Sequence, residues 1–231
     1  FDECAIPTDY AYSKLAMQRT HAWAHRCQEA KTRSDQALFG IVQGGIFSDL
    51  RAESAQTLAA LDFPGYALGG LSVGESKADM LRTISEVNQI LPENKPRYLM
   101  GVGTPQDLIE GVLRGVDIFD CVLPTRLARH NSAMTLTGRM NLMNAVYARD
   151  ERSIDPDCQC YTCQHFSRAY LRHLVNAKEM LAATLLSIHN LYTLVNLTQR
   201  MRQAILAGEM QRFAQEILAA IAASQTVEEE V

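Results

Sequence analysis

The stretch RYLMGVGTPQDLIEGVLRGVDIFDCVLPTR, residues 97–126, decides how the chain is read. It opens with a short apolar segment, 97–103, that ends in glycines. Thr104, Pro105, Gln106 and Asp107 follow as an N-cap, a first-turn proline and an acidic first turn, and so predict a helix from 104. A second apolar segment, 116–125, carries an acid, Asp120, and a thiol, Cys121, in its middle. Strand, helix, strand at this spacing predicts a parallel pair, because neighbouring parallel strands need a crossover helix between them. A carboxylate inside an apolar strand is costly unless it is paired or opens on a cleft. Asp120 therefore marks a place where a strand meets a site.

The same alternation runs upstream. ALFGIVQGG at 37–45 and GYALGGLSVG at 65–74 have strand length and turn residues at their carboxyl ends. Between them, 48–61 sets Leu50, Ala52, Ala55, Leu58 and Leu61 on one helical face, and 77–91 does the same with Met80, Leu81, Ile84, Val87 and Leu91. FDEC at 1–4, followed by a helix near 10–30, adds one more unit. The expectation is an α/β chain built from the later βα units of a (β/α)8 TIM-barrel type fold. An open doubly wound sheet fits less well, since GGLSVGES lacks the G-x-G-x-x-G register of a dinucleotide loop.

Barrels carry their chemistry at the carboxyl ends of strands. Those ends read Asp2 and Cys4, Gln43-Gly44-Gly45, Gly69-Gly70-Leu71, Met100 to Gly103, and Asp120-Cys121. Glycine there lets a flat ligand approach the main chain, whose N–H and C=O groups can read its edge. Asp2 and Asp120 offer an acceptor for ring N–H groups and a potential nucleophile. No Lys or Arg stands among these ends, so a planar heterocycle such as a purine suits them better than a phosphate.

Beyond 125 the alternation stops. SAMTLTGRMNLMNAVYARD, 132–150, reads as a small antiparallel ribbon turning at Thr137-Gly138. DPDCQCYTCQ then places Cys158, Cys160 and Cys163 as C-x-C-x2-C, a spacing that gathers thiolates around one tetrahedral ion. His165, His173 and His189 are all candidates for the fourth ligand. In CQHFSRAYLRHL, Phe166, Tyr170 and His173 recur at i, i+4 and i+7, which places them on one face of a single helix after the clip. The expected division is 1–130 for the βα units, 131–195 for the ribbon and zinc-binding subdomain, and 196–231 for C-terminal helices.

Of the 231 residues, 47% are hydrophobic and 21% charged, and the formal net charge is −4, which argues against blanket nucleic-acid affinity. Locally the picture reverses. From Cys121 to Arg149 there is no Asp or Glu, while Arg126, Arg129, His130, Arg139 and Arg149 lie inside. No unbroken apolar run approaches the roughly 18–20 residues that span a bilayer, so no membrane partner and a cytoplasmic location are expected. Because the chain starts at Phe1 without Met, it is expected to be a piece of something longer.

FDEC, GIVQGG, GYALGGLSVGES, RYLMGVGTP, FDCVLPTR and the cysteine clip followed by His189-Asn190 resemble, in order and over essentially the whole chain, the queuine tRNA-guanine transglycosylase family. The resemblance implies a zinc-containing (β/α)8 barrel enzyme, a pentosyltransferase of queuosine biosynthesis. It exchanges guanine at the wobble position of tRNAs with a GUN anticodon for a 7-deazaguanine by double displacement through a covalent enzyme–ribose intermediate. It implies Asp120 as nucleophile, Asp2, Gln43 and Gly70 as base-reading groups, and Met100 as one wall of the base sandwich. Leu71 and Glu75 are implied near the aminomethyl substituent of the incoming base, and Arg126 and Arg129 on the anticodon loop. Cys158, Cys160, Cys163 and His189 are implied as ligands of one structural Zn2+, and a homodimer through the region after the clip. Val73 resembles the bacterial form, which takes 7-aminomethyl-7-deazaguanine.

Two features depart from the family pattern. The acid/base aspartate of the family's amino-terminal half has no counterpart in these residues, so the chain by itself is expected to be inactive. His130-Asn131 stands where the family often shows Asn-Gly. Two other readings are weighed: a non-catalytic tRNA-binding partner subunit would be expected to lose Asp120, and an unrelated barrel hydrolase has no use for the zinc clip or the basic stretch.

Overall fold

The computed structural model describes residues 2, 3 and 9–229. Phe1 and Cys4, from the expected FDEC strand, lie outside the described residues. The chain forms two compact units, residues 1–103 with 110–121, and residues 104–109 with 122–231.

The first unit is an α/β layer. Helix α1 (Tyr10–Ala30) is capped by the Asp9 carboxylate, which accepts from the Tyr12 N–H. Strand β1 (Gly40–Val42), helix α2 (Ser48–Ala60), strand β2 (Tyr66–Leu68), helix α3 (Lys77–Asn88), strand β3 (Arg97–Leu99), helix α4 (Pro105–Leu113), whose residues 105–109 count with the second unit, and strand β4 (Ile118–Phe119) follow. The sheet is parallel in the order β1-β2-β3-β4. Val42, Leu68 and Leu99 on one of its faces are fully buried with Ala55, Leu58, Ile84 and Val87 of α2 and α3. The strands are shorter than the apolar runs that announced them, because the glycines at their ends leave the ladder.

The largest revision concerns 116–125. The strand stops at Phe119, and Leu123–Arg129 forms a helix, α5, with Pro124 in its first turn. Proline has no N–H to give a ladder but its fixed φ suits a helix start. Val122, expected inside a strand, is 62% exposed. Asp120 therefore stands at the carboxyl end of β4 rather than in the middle of a strand.

The second unit holds α5, the ribbon β5 (Ser132–Thr135) and β6 (Gly138–Asn141), a short 3₁₀ turn at Ala145–Tyr147, and four helices: α6 (Tyr161–His165), α7 (Arg168–Asn176), α8 (Met180–Leu206) and α9 (Met210–Glu229). The single helix expected after the clip is two. Phe166 is extended, and the Ser167 hydroxyl accepts from the Tyr170 N–H to start α7 anew. By length and composition α8 could cross a membrane, which a search for unbroken apolar runs passes over because polar residues interrupt it. In the unit it is the core helix, burying Ala182, Leu185, Leu186, His189, Asn190, Leu197 and Met201.

Leu68 sits at the centre of the parallel sheet with 0% exposure. Leu68→Ala is expected to lower stability by roughly 2–5 kcal/mol, read as a fall in the denaturant midpoint of unfolding.

Candidate functional site

In the first unit the parallel sheet brings the carboxyl ends of its strands to one edge. Asp120 follows β4 and is exposed. Its Oδ1 accepts from the Tyr98 hydroxyl at 2.6 Å and from the Gly101 N–H at 2.8 Å. Gly101 has φ +72°, a region that glycine enters without strain and that turns its amide toward Asp120. The Tyr98 hydroxyl, and after it the Gly101 N–H, hold the Asp120 carboxyl below its ordinary range. The same bond pushes Tyr98 up to about 12. At neutral pH the carboxylate is ionised and fixed in orientation by two donors on one oxygen.

Gln43, only 2% exposed, follows β1, and its side-chain amide donates to Asp2 Oδ2 at 2.6 Å. Its backbone N–H donates to the Ser54 hydroxyl of α2. Gly69 leaves little room for a side chain, since a Cβ there would lie 2.5 Å from Gln43 Nε2 and 2.8 Å from Ile41 Cγ2. Leu71 is buried and Met100 half-buried. The Glu75 carboxylate accepts from the backbone N–H groups of Ser72 and Val73, the latter at 3.0 Å, and so closes the loop after β2.

No Lys or Arg stands at these strand ends in the sequence, but a cation reaches two of them from a helix. Arg51 of α2 is fully buried and donates to the carbonyls of Gly45 at 2.7 Å, Val42 at 2.9 Å, Gly69 at 2.9 Å and Gly70 at 3.4 Å. The signal was available: Arg51 shares the buried stripe of α2 with Ser54, Ala55 and Leu58, where a charge has no business without acceptors.

In the second unit the Sγ atoms of Cys158, Cys160 and Cys163 and the Nδ1 of His189 all lie within 4.8 Å of one another. The three sulfurs are 3.6, 3.5 and 3.4 Å from Nδ1. A tetrahedron with Zn–S of about 2.3 Å and Zn–N of about 2.0–2.1 Å has S···N edges of roughly 3.5–3.6 Å, so the donors fit a zinc ion. His189 Nε2 donates to the Met134 carbonyl at 2.9 Å, which leaves the Nδ1 lone pair for the metal. Burial pushes the His189 imidazole down and the Cys158 and Cys163 thiols up, Cys163 to about 11. A bound cation reverses the thiol shift by taking thiolate. Three cysteines and one histidine fill all four positions, so the site is structural and not open to substrate. His165 points elsewhere: its Nδ1 meets the Tyr161 carbonyl and its ring stacks on Tyr161.

The neighbour of the metal ligand ties the same unit together. Asn190, also fully buried, accepts from the Met134 N–H at 2.7 Å and donates to the carbonyls of Pro124 at 2.9 Å and Ser132 at 3.1 Å. It thereby anchors the first turn of α5, the helix that exposes Arg126 and Arg129 one turn apart. Asn131 takes φ +60° after that helix, a conformation that asparagine tolerates best after glycine.

A family model described as queuine tRNA-ribosyltransferase matches residues 1–223. The chain belongs to that family. Curated proteins named queuine tRNA-ribosyltransferase are similar to it. The one from Halothermothrix orenii is 52% identical over 219 residues, covering 94% of this chain and 59% of that protein. The one from Herpetosiphon aurantiacus is 58% identical over 214 residues, 92% of this chain and 55% of that protein. The one from Moorella thermoacetica is 54% identical over 215 residues, 93% of this chain and 58% of that protein. The chain thus spans less than three-fifths of the length of these relatives.

Metal analysis should find one zinc per chain. A chelator strong enough to strip it should open the amides of β5, α6 and the middle of α8 to hydrogen exchange, while β1, β2 and α3 keep their protection. The reason is that the metal, through His189, holds β5 to α8.

Proposed function

We propose that the protein to which this chain belongs is a tRNA-guanine transglycosylase. It exchanges the wobble guanine of GUN-anticodon tRNAs for 7-aminomethyl-7-deazaguanine, in the cytoplasm, on a (β/α)8 barrel of which the four parallel strands form a part. The observation that carries this reading is Asp120, ionised at a strand end and oriented by Tyr98 and Gly101. Replacing a base on a ribose with retained configuration calls for two displacements. In the first, an Asp120 carboxylate oxygen bonds to the anomeric carbon as the bond to guanine breaks, and a second acid/base group protonates the leaving base. In the second, the incoming base displaces the carboxylate and gives up its ring proton.

Asp2 and Gln43, bonded to each other, and the backbone at Gly70 would read the base edge, with Met100 against its face and Leu71 and Glu75 beside its substituent. Arg126 and Arg129, exposed and within an acid-free stretch, would meet the anticodon-loop phosphates. A wobble base suits this arrangement because enzymes that act on a base take it out of the stack. The zinc would hold the RNA-binding unit in shape rather than enter the chemistry. Dimerisation is assigned to an exposed aromatic patch: Tyr161 is 54% and Tyr170 39% exposed, and Phe166 stacks on Tyr170 with ring centres 5.3 Å apart.

The test is incorporation of labelled guanine into a GUN-anticodon tRNA by a full-length enzyme containing this chain. Asp120→Asn should bind tRNA yet form no covalent adduct and no product. The 231 residues alone should also be inactive, since the acid/base aspartate the family uses has no counterpart among them. Exchange by the asparagine variant would rule out the mechanism.

Tyr98→Phe removes the largest influence holding the Asp120 pKa down, so that pKa should rise. The acidic limb of the pH–rate profile should then move to higher pH, with activity lost first on the acid side and best retained near neutrality. Phe166→Ala with Tyr170→Ala should shift sedimentation of the full-length enzyme toward monomer.

A further inference from the structure

We propose that Arg51 is a positioning residue for base recognition: its guanidinium, inserted beneath the ends of β1 and β2, aims the backbone donors that meet the edge of a purine-like base. The inference rests on the reading of this rim as a base site.

The geometry is direct. One side chain fixes the Gly69 carbonyl at 2.9 Å and the Gly70 carbonyl at 3.4 Å on the β2 side, and the Val42 and Gly45 carbonyls at 2.9 and 2.7 Å on the β1 side. A trans peptide is planar, with its C=O and the next N–H pointing opposite ways. Drawing the Gly69 carbonyl toward Arg51 therefore turns the Gly70 N–H away from it, and drawing in the Gly70 carbonyl does the same to the Leu71 N–H. These two donors follow a buried strand end in a segment where Gly70 has φ +64° and little side-chain bulk limits the backbone. On its far side the segment is held by Glu75, through the Ser72 and Val73 amides. Arg51 and Glu75 thus hold the loop from opposite ends, one on its carbonyls and the other on its amides. A planar fork is what the task needs, because a point charge on a lysine cannot serve carbonyls from two strands at fixed angles.

Arg51→Met and Arg51→Lys test this in a full-length enzyme containing this chain, with guanine as the probe. The methionine variant should raise KM for guanine about tenfold or more while KM for tRNA and kcat at saturating guanine stay within about twofold. The lysine variant should fall between it and the parent. Hydrogen exchange on the same full-length enzyme supplies the second readout. The amides of Gly69, bonded to the Val42 carbonyl, and of Phe47, bonded to the Gly44 carbonyl, should lose protection in Arg51→Met while α3 keeps its own.

An unchanged KM for guanine in both variants overturns the proposal. So does an equal loss of protection throughout the unit, which would make the arginine a general stabiliser. A parent enzyme that exchanges no guanine overturns the functional reading instead. The base-recognition half of the inference falls with it, and the exchange pattern alone decides whether the clamp exists.

Discussion

Where parallel strands give way to turns, backbone carbonyls leave the ladder, and this chain gathers those of two strand ends on one buried guanidinium. Arg51 takes acceptors from the ends of both β1 and β2. Burying a charge without such acceptors is strongly unfavourable, so the helix that carries Arg51 and the loops that supply the carbonyls must form together. The turns at Gln43 and Gly70 inherit their shape from that bond set. Gln43 in turn faces Asp2, and its amide, with Ile41 beside it, lies where a Gly69 side chain would sit.

The second unit rests on a different device with the same logic. His189 uses both ring nitrogens, Nδ1 toward the three thiols and Nε2 toward Met134, so the metal's geometry is transmitted to β5 by a single rigid ring. Asn190, the next residue in α8, uses its amide on Met134, Ser132 and Pro124. Adjacent residues thereby anchor the metal clip, the ribbon and the arginine-bearing helix to the buried face of one helix. That explains why a helix apolar enough to cross a membrane keeps a histidine and an asparagine fully buried at its centre.

Asp120 shows how a reactive group and a folding unit share a position. A carboxylate at the close of β4 is open to solvent, so its charge is tolerated, and it accepts from a tyrosine on the neighbouring strand and a glycine amide at that strand's end. Both donors come from β3 and its exit turn, so it is the parallel register of β3 and β4 that orients the carboxylate. The Tyr98 hydroxyl was not singled out from the sequence, because its partner is 22 residues away and only the strand pairing brings the two together.

By itself the sequence determined the alternation of strand and helix, the parallel order it implies, the strand-end location of the glycines and Gln43, and the three thiols of the metal clip. These are local properties, written in periodicity, caps and short spacings. What only the tertiary structure decided is everything that depends on distant partners. Asn190, 66 residues on, holds the Pro124 carbonyl in the first turn of α5, a tie that no local pattern announces. The spacing of the clip left the fourth ligand open among three histidines, and α8 brought His189 to the sulfurs while His165 turned to Tyr161. The position of Arg51 on the buried stripe of α2 calls for acceptors, and only the ends of two strands, brought over it by the fold, supply them. A side chain's role is fixed by the acceptors around it, and those acceptors are assembled only when the chain folds.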